Sequence, residues 1–159
     1  MPRNYLDPPV PIAALATARG EAALALIRAS GAGAIELASS CFSRPKALLA
    51  AKGRSLVHGH LVDPASGEAV DEVLVSVFRA PSSPTGEDQV EISLHGSPVV
   101  SRRALEVLEA AGFERALPGE FSFRAFVNGK TDLVRAEAMW FNSMVREEPY
   151  LGLTYSGMW

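Results

Sequence analysis

From Pro84 to Pro98 the chain reads Pro-Thr-Gly-Glu-Asp-Gln-Val-Glu-Ile-Ser-Leu-His-Gly-Ser-Pro, and two side chains in this stretch are equipped for chemistry. Glu91 brings a carboxylate and His95 an imidazole, and both fall on the polar side of a strict alternation. Val90, Ile92 and Leu94 are apolar, while Gln89, Glu91, Ser93 and His95 are polar. A period of two predicts an extended strand with one apolar and one polar face. Gly96 reads as a sharp reversal, Ser97 as an N-cap and Pro98 as a first helical residue, so that helix amides point back toward the polar face. A strand edge meeting a helix N-terminus suits a small polar ligand. The same alternation also describes a half-buried antiparallel strand whose outward Glu is simply solvated, and the pattern alone does not separate the two.

Arg28 is the next candidate. It interrupts the end of an apolar run from Ala23 to Ala29, either as a solvated strand end or as a cation placed for a ligand carboxylate or phosphate. Other chemistries find no footing. His58 and His60 share one strand face without an acidic or thiol cluster beside them in sequence, which argues against a metal site. Neither the Walker A pattern nor G-x-G-x-x-G occurs, which excludes GTP and NAD binding by those routes, and no catalytic triad is assignable from spacing.

The elements that must position Arg28 and Glu91 read as follows. Ile12 to Thr17 and Ala23 to Ala29 form two strands joined through Ala18-Arg-Gly-Glu21. Ala34, Ile35, Ala38, Cys41 and Phe42 recur at helical spacing, giving a short helix with Cys41 as a buried structural thiol. Pro45 to Lys52 is a helical turn or a loop. Arg54 to Val62 and Glu68 to Arg79 flank turn residues Asp63 to Gly67 as a hairpin, with Val73, Val75 and Val77 marking a strong strand. Ala80 to Gly86 is a loop. A helix from Ser97 carries Val100, Ala104, Val107, Leu108 and Ala111 on one stripe and stops at Gly112. Phe113 to Leu117 suits a last strand, Phe121 to Phe126 an aromatic helical face, and Asp132 opens another helix through Leu133, Ala136, Met139 and Trp140. Pro149 to Trp159 reads as a loosely held tail or a segment packed on something outside this chain.

At 159 residues and 48% hydrophobic, the chain has length for one domain with a core plus an appendage. Its net charge of -3, with no block of Lys or Arg, lacks the footprint of a nucleic-acid binder acting alone. One cysteine precludes an internal disulfide, and the proline-bearing N-terminus does not resemble a signal peptide. The expectation is therefore a cytoplasmic chain that neither follows that secretory route nor enters a membrane.

A longer series of motifs then carries a family resemblance. Thr85-Gly-Glu-Asp88, Glu91, His95-Gly96, Pro118-Gly-Glu-Phe-Ser122, Arg124-Ala-Phe126, Asn128-Gly-Lys130, Asp132-Leu133 and Ala136-Glu-Ala138 closely resemble, in order and spacing, the N-terminal domain of the tRNA-modification GTPase family MnmE, also called TrmE. Arg28-Ala-Ser-Gly31 is similar to that family's R-[IV]-S-G segment, and coverage runs from about Ile12 to about Ala138. The resemblance implies an α+β fold, a mixed β-sheet with helices similar to the folate-binding domain of the glycine-cleavage aminomethyltransferase, with a short C-terminal helical extension. It divides the chain into a lead at 1–11, a folate-binding domain at 12–130, and the start of a helical region with a divergent tail at 131–159.

The resemblance also implies a ligand, a tetrahydrofolate derivative such as 5-formyltetrahydrofolate or 5,10-methylenetetrahydrofolate, contacted by Arg28, Glu91 and Lys130, with His95 bordering the pocket. It implies pairing with a second copy, a flavoprotein partner, MnmG, and wobble-uridine modification of tRNA within the full complex only, the GTPase domain being absent from this chain. The chain is accordingly expected to be inactive alone, as a truncated or diverged member. Three departures stand out: Ala18-Arg-Gly-Glu-Ala-Ala23 in place of P-P-G-R-G-G, His95-Gly96-Ser97 in place of His-Gly-Gly, and divergence after Ala138. Two alternatives stay open, a docking module that has lost its ligand and a folate-dependent aminomethyltransferase-type enzyme.

Overall fold

Alternating apolar residues need a covered face, and in this chain a single sheet supplies it. The computed structural model describes residues 4, 5, 7 and 9–138. Six strands, β1 (Ile12–Leu15), β2 (Leu24–Ser30), β3 (Ser55–Val62), β4 (Ala69–Phe78), β5 (Gln89–His95) and β6 (Glu114–Arg115), pair in the order β3-β4-β5-β2-β1-β6. Every pairing is antiparallel except that of β1 with β6, so the sheet is mixed. Four helices, α1 (Ala34–Ser40), α2 (Pro45–Ala50), α3 (Pro98–Ala111) and α4 (Glu120–Val127), complete the α+β architecture.

The core lies between one sheet face and α1, α2 and α3. Ile27, Val75, Val77, Val90, Ile92 and Leu94 point into it from the strands, and Ile35, Leu48, Ala104, Val107 and Leu108 meet them from the helices. Each fully buried Val, Leu or Ile of this set contributes about 1.5–3 kcal/mol of transfer free energy, which fixes the register, because a one-residue slip would turn the strand residues outward. Arg28, Glu91, Ser93, Leu24 and Leu74 therefore occupy the other face. There, Leu24, Leu56 and Leu74 are exposed.

Several expectations need amending. Helix α1 ends at Ser40, so Cys41 is its C-cap and Phe42 bridges to Leu61 beyond it, although both are buried. Ser97 occupies the N-cap of α3 but makes no side-chain capping bond. Gly96 is not needed for a left-handed turn: its φ is not positive. A Cβ there would lie 2.1 Å from the Ala22 carbonyl oxygen, so this glycine admits the close approach of the β1–β2 loop. The strand expected over Phe113 to Leu117 shrinks to two residues. Residues 133–138 are helical, opened by the Asp132 carboxylate accepting the Arg135 amide at 2.8 Å. Met139, Trp140 and the tail at 149–159 fall outside the described residues.

Candidate functional site

Strand register brings Arg28 and Glu91 face to face. On the pairing of β2 with β5, Arg28 is the direct partner of Glu91, with Ser76 on the next strand beyond it. Glu91 Oε1 accepts from Arg28 Nε at 2.9 Å, from Arg28 Nη2 at 2.8 Å and from the Gln89 carboxamide Nε2 at 3.2 Å. All three donors converge on one oxygen, and Oε2 takes no hydrogen bond among the described residues. The carboxylate is thus oriented by its neighbours while keeping one oxygen to accept a ligand's N–H. Its side chain is 17% exposed and that of Arg28 33%, enough for a ligand to reach either. The Arg28 guanidinium also lies 5.7 Å from the Phe121 ring centroid, within cation–π range, which places α4 over this part of the open face.

A buried polar belt fixes the surroundings. Arg124 of α4 meets Glu120 at 2.8 Å and Glu87 at 3.2 Å, and donates to the Val10 carbonyl at 2.7 Å. Ser30 donates to Glu87 at 3.0 Å and shares a hydrogen bond with Thr85 at 2.7 Å. Asn128 donates to the Thr85 carbonyl, and Gly86, at φ 81, leaves no room for a Cβ, which would sit 2.7 Å from that of Asn128. One guanidinium thereby ties the lead, the loop before β5 and α4 together beside Arg28. Gln89 is fully buried against this belt, and its Oε1 has no hydrogen-bond partner.

The other sequence-derived candidates are more dispersed. His95 shares the face of Glu91 but sits four residues along the strand, about 13 Å away. Its Nδ1 is held at 2.8 Å by Asp71, which also accepts the His95 amide. Lys130 follows α4, with an exposed side chain passing beside Gly86, and it lines an open cleft with Phe78. His58 pairs with Glu72 at 2.7 Å, and no group of three or more metal-ligating side chains occurs among the described residues. Burial raises the Cys41 thiol pKa above its ordinary value, in keeping with a structural thiol. Phe121, Phe123 and Phe126 do not join the core: Phe123 packs edge-on to Tyr5, and Phe126 is exposed. Gln89 and Phe121 were not singled out from sequence. Gln89 was visible as a member of the polar alternation, but its burial depends on the loop and helix folded over it.

A profile of the family described as GTP-binding protein TrmE N-terminus matches residues 11–130. The chain belongs to that family. This TrmE N-terminal domain is 54% identical over 129 residues to the tRNA modification GTPase MnmE of Treponema denticola, covering 81% of the chain and 27% of the relative. It is 50% identical over 129 residues to that of Thermus thermophilus, covering 81% and 30%. The MnmE of Moorella thermoacetica is 45% identical over 145 residues, covering 90% and 31%. The chain therefore spans about a third or less of the length of these relatives, and corresponds to their N-terminal region without a P-loop in its own 159 residues. No helix among the described residues is long and apolar enough to cross a membrane.

Proposed function

We propose that this TrmE N-terminal domain binds a reduced folate, such as 5-formyltetrahydrofolate or 5,10-methylenetetrahydrofolate, at Arg28 and Glu91, and serves a tRNA wobble-uridine modification system as a paired, non-catalytic module. The observation that carries the reading is the lopsided bonding of Glu91, with three donors on Oε1 and none on Oε2. A reduced pterin presents ring N–H and amino donors along one edge, which suit the open carboxylate oxygen. Arg28 orients that carboxylate, and the carboxylates of the folate tail suit Lys130. A bound folate would supply a one-carbon unit; what these residues do is orient and hold it. Pairing with a second copy is supported by the exposed Leu24, Leu56 and Leu74 on the same open face. The flavoprotein MnmG, and tRNA within the complete assembly, follow as partners of the parent family.

Calorimetric titration with 5-formyltetrahydrofolate tests the ligand. Glu91→Gln and Arg28→Ala are each expected to weaken binding by about 1.5–3 kcal/mol, the range for a lost charge-assisted hydrogen bond. Equal heats for wild type and both variants would place the ligand elsewhere. Absence of heat in all three would favour the docking-module reading, which the side chains of the exposed 18–23 loop support where the family carries glycines.

A further inference from the structure

Beside the Arg28–Glu91 pair an open cleft of about 360 Å³ is lined by Arg54, Phe78, Ser82, Ser83, Pro84 and Lys130. Its Phe78 wall pairs in register with Gln89, one row of the sheet, about 7 Å, from the row of Glu91. Lys130 of this cleft already belongs to the folate reading, and the cleft adds Arg54 and Ser83 to it. Two cations, Arg54 and Lys130, line it, and neither has an ion-pair partner among the described residues. Ser83 is buried, yet its Oγ has no hydrogen-bond partner. Arg54 adopts φ 63, making it the one non-glycine residue with positive φ among those described, at a position where Gly or Asn would sit without strain.

We infer that Arg54, with Lys130 and Ser83, forms a subsite for an oligo-γ-glutamyl tail, so that the domain selects polyglutamylated folates over forms with a short tail or none. The inference rests on the folate reading and adds a specificity-determining residue to it. A pterin edge on Glu91 and a tail running past Phe78 bring successive carboxylates between two unpaired cations, and Arg54 offers a planar fork that a carboxylate engages through two parallel bonds. The buried hydroxyl supplies a donor to the same anion.

The test compares three ligands on the full 159-residue chain by calorimetry: a tetrahydropteroate lacking glutamate, the monoglutamate, and the triglutamate. The triglutamate is expected to bind about tenfold more tightly than the monoglutamate, with a gap that narrows as salt is raised. Arg54→Gly removes the cation while relieving the positive φ, so the fold is retained, and it should shrink the triglutamate-to-monoglutamate ratio to about twofold or less. Arg54→Lys should restore part of the ratio. Equal affinity for monoglutamate and triglutamate in the wild type, or a ratio unchanged in Arg54→Gly, overturns the inference. If no pterin binds at all, the folate reading fails on its own. Free tri-γ-glutamate then decides the subsite: binding that Arg54→Gly abolishes sustains it, and no binding overturns it.

Discussion

Glu91 and Asp63 show how one carboxylate is left open to a partner while another is fully used. Both oxygens of Asp63, in the turn between β3 and β4, are occupied: Oδ1 accepts the Ala65 amide at 2.9 Å, and Oδ2 meets Arg103 of α3 at 2.5 Å. The backbone bond from Ala65, aided by Arg103, holds its pKa below the ordinary 3.8. A carboxyl depressed on folding contributes stability that is present above its ordinary pKa and is lost as pH falls through the folded one. The thermal midpoint gap between wild type and Asp63→Asn is accordingly expected to be full at about pH 5 and to close toward about pH 2. A gap that does not change with pH would show that the turn is held by shape alone. No such spare bonding is needed at Glu91, whose second oxygen is free for a ligand.

At the scale of elements, β5 and its flanking turns hold the site, and Gly96 is the tightest point. An alanine there would drive its Cβ into the Ala22 carbonyl, separating the β1–β2 loop from the β5–α3 connection. Gly96→Ala should cost about 1–3 kcal/mol, read as a lower denaturant midpoint, because the obstruction is backbone and has little room to yield. An unchanged midpoint would mean that the two segments move apart freely. Much of this element was legible in sequence, since Val90, Ile92 and Leu94 alternate, Pro98 opens α3, and Gly112 closes it at φ 119. The reasons for Gly96 and Gln89 were not. Both are set by segments distant in sequence, the Ala22 carbonyl in one case and the loop and helix bound by Arg124 in the other, and a local pattern contains neither. Likewise the polarity of β5 revealed Glu91, but only strand order placed Arg28 against it.

Across the whole molecule, the sheet has one face under helices and one carrying Leu24, Leu56 and Leu74 in the open beside Arg28 and Glu91. A chain that spends three leucines on solvent gains by covering them, each at about 1.5–3 kcal/mol if fully buried. Light scattering over a dilution series should report a dimer that Leu74→Glu weakens at least about tenfold, the effect of roughly 1.4 kcal/mol. A monomer at every concentration would remove the pairing reading and leave the ligand reading standing. The central claim is that a reduced folate seats on the Arg28–Glu91 face, and residue-resolved NMR addresses it most directly. Titrating the nitrogen-15-labelled chain with 5-formyltetrahydrofolate is expected to move the Arg28 Nε–H, the Gln89 side-chain amide and the backbone signals of Arg28 and Glu91 first and furthest. Saturating ligand that leaves those signals in place, or that shifts only residues around α2 and the outer edge of β3, would contradict the account.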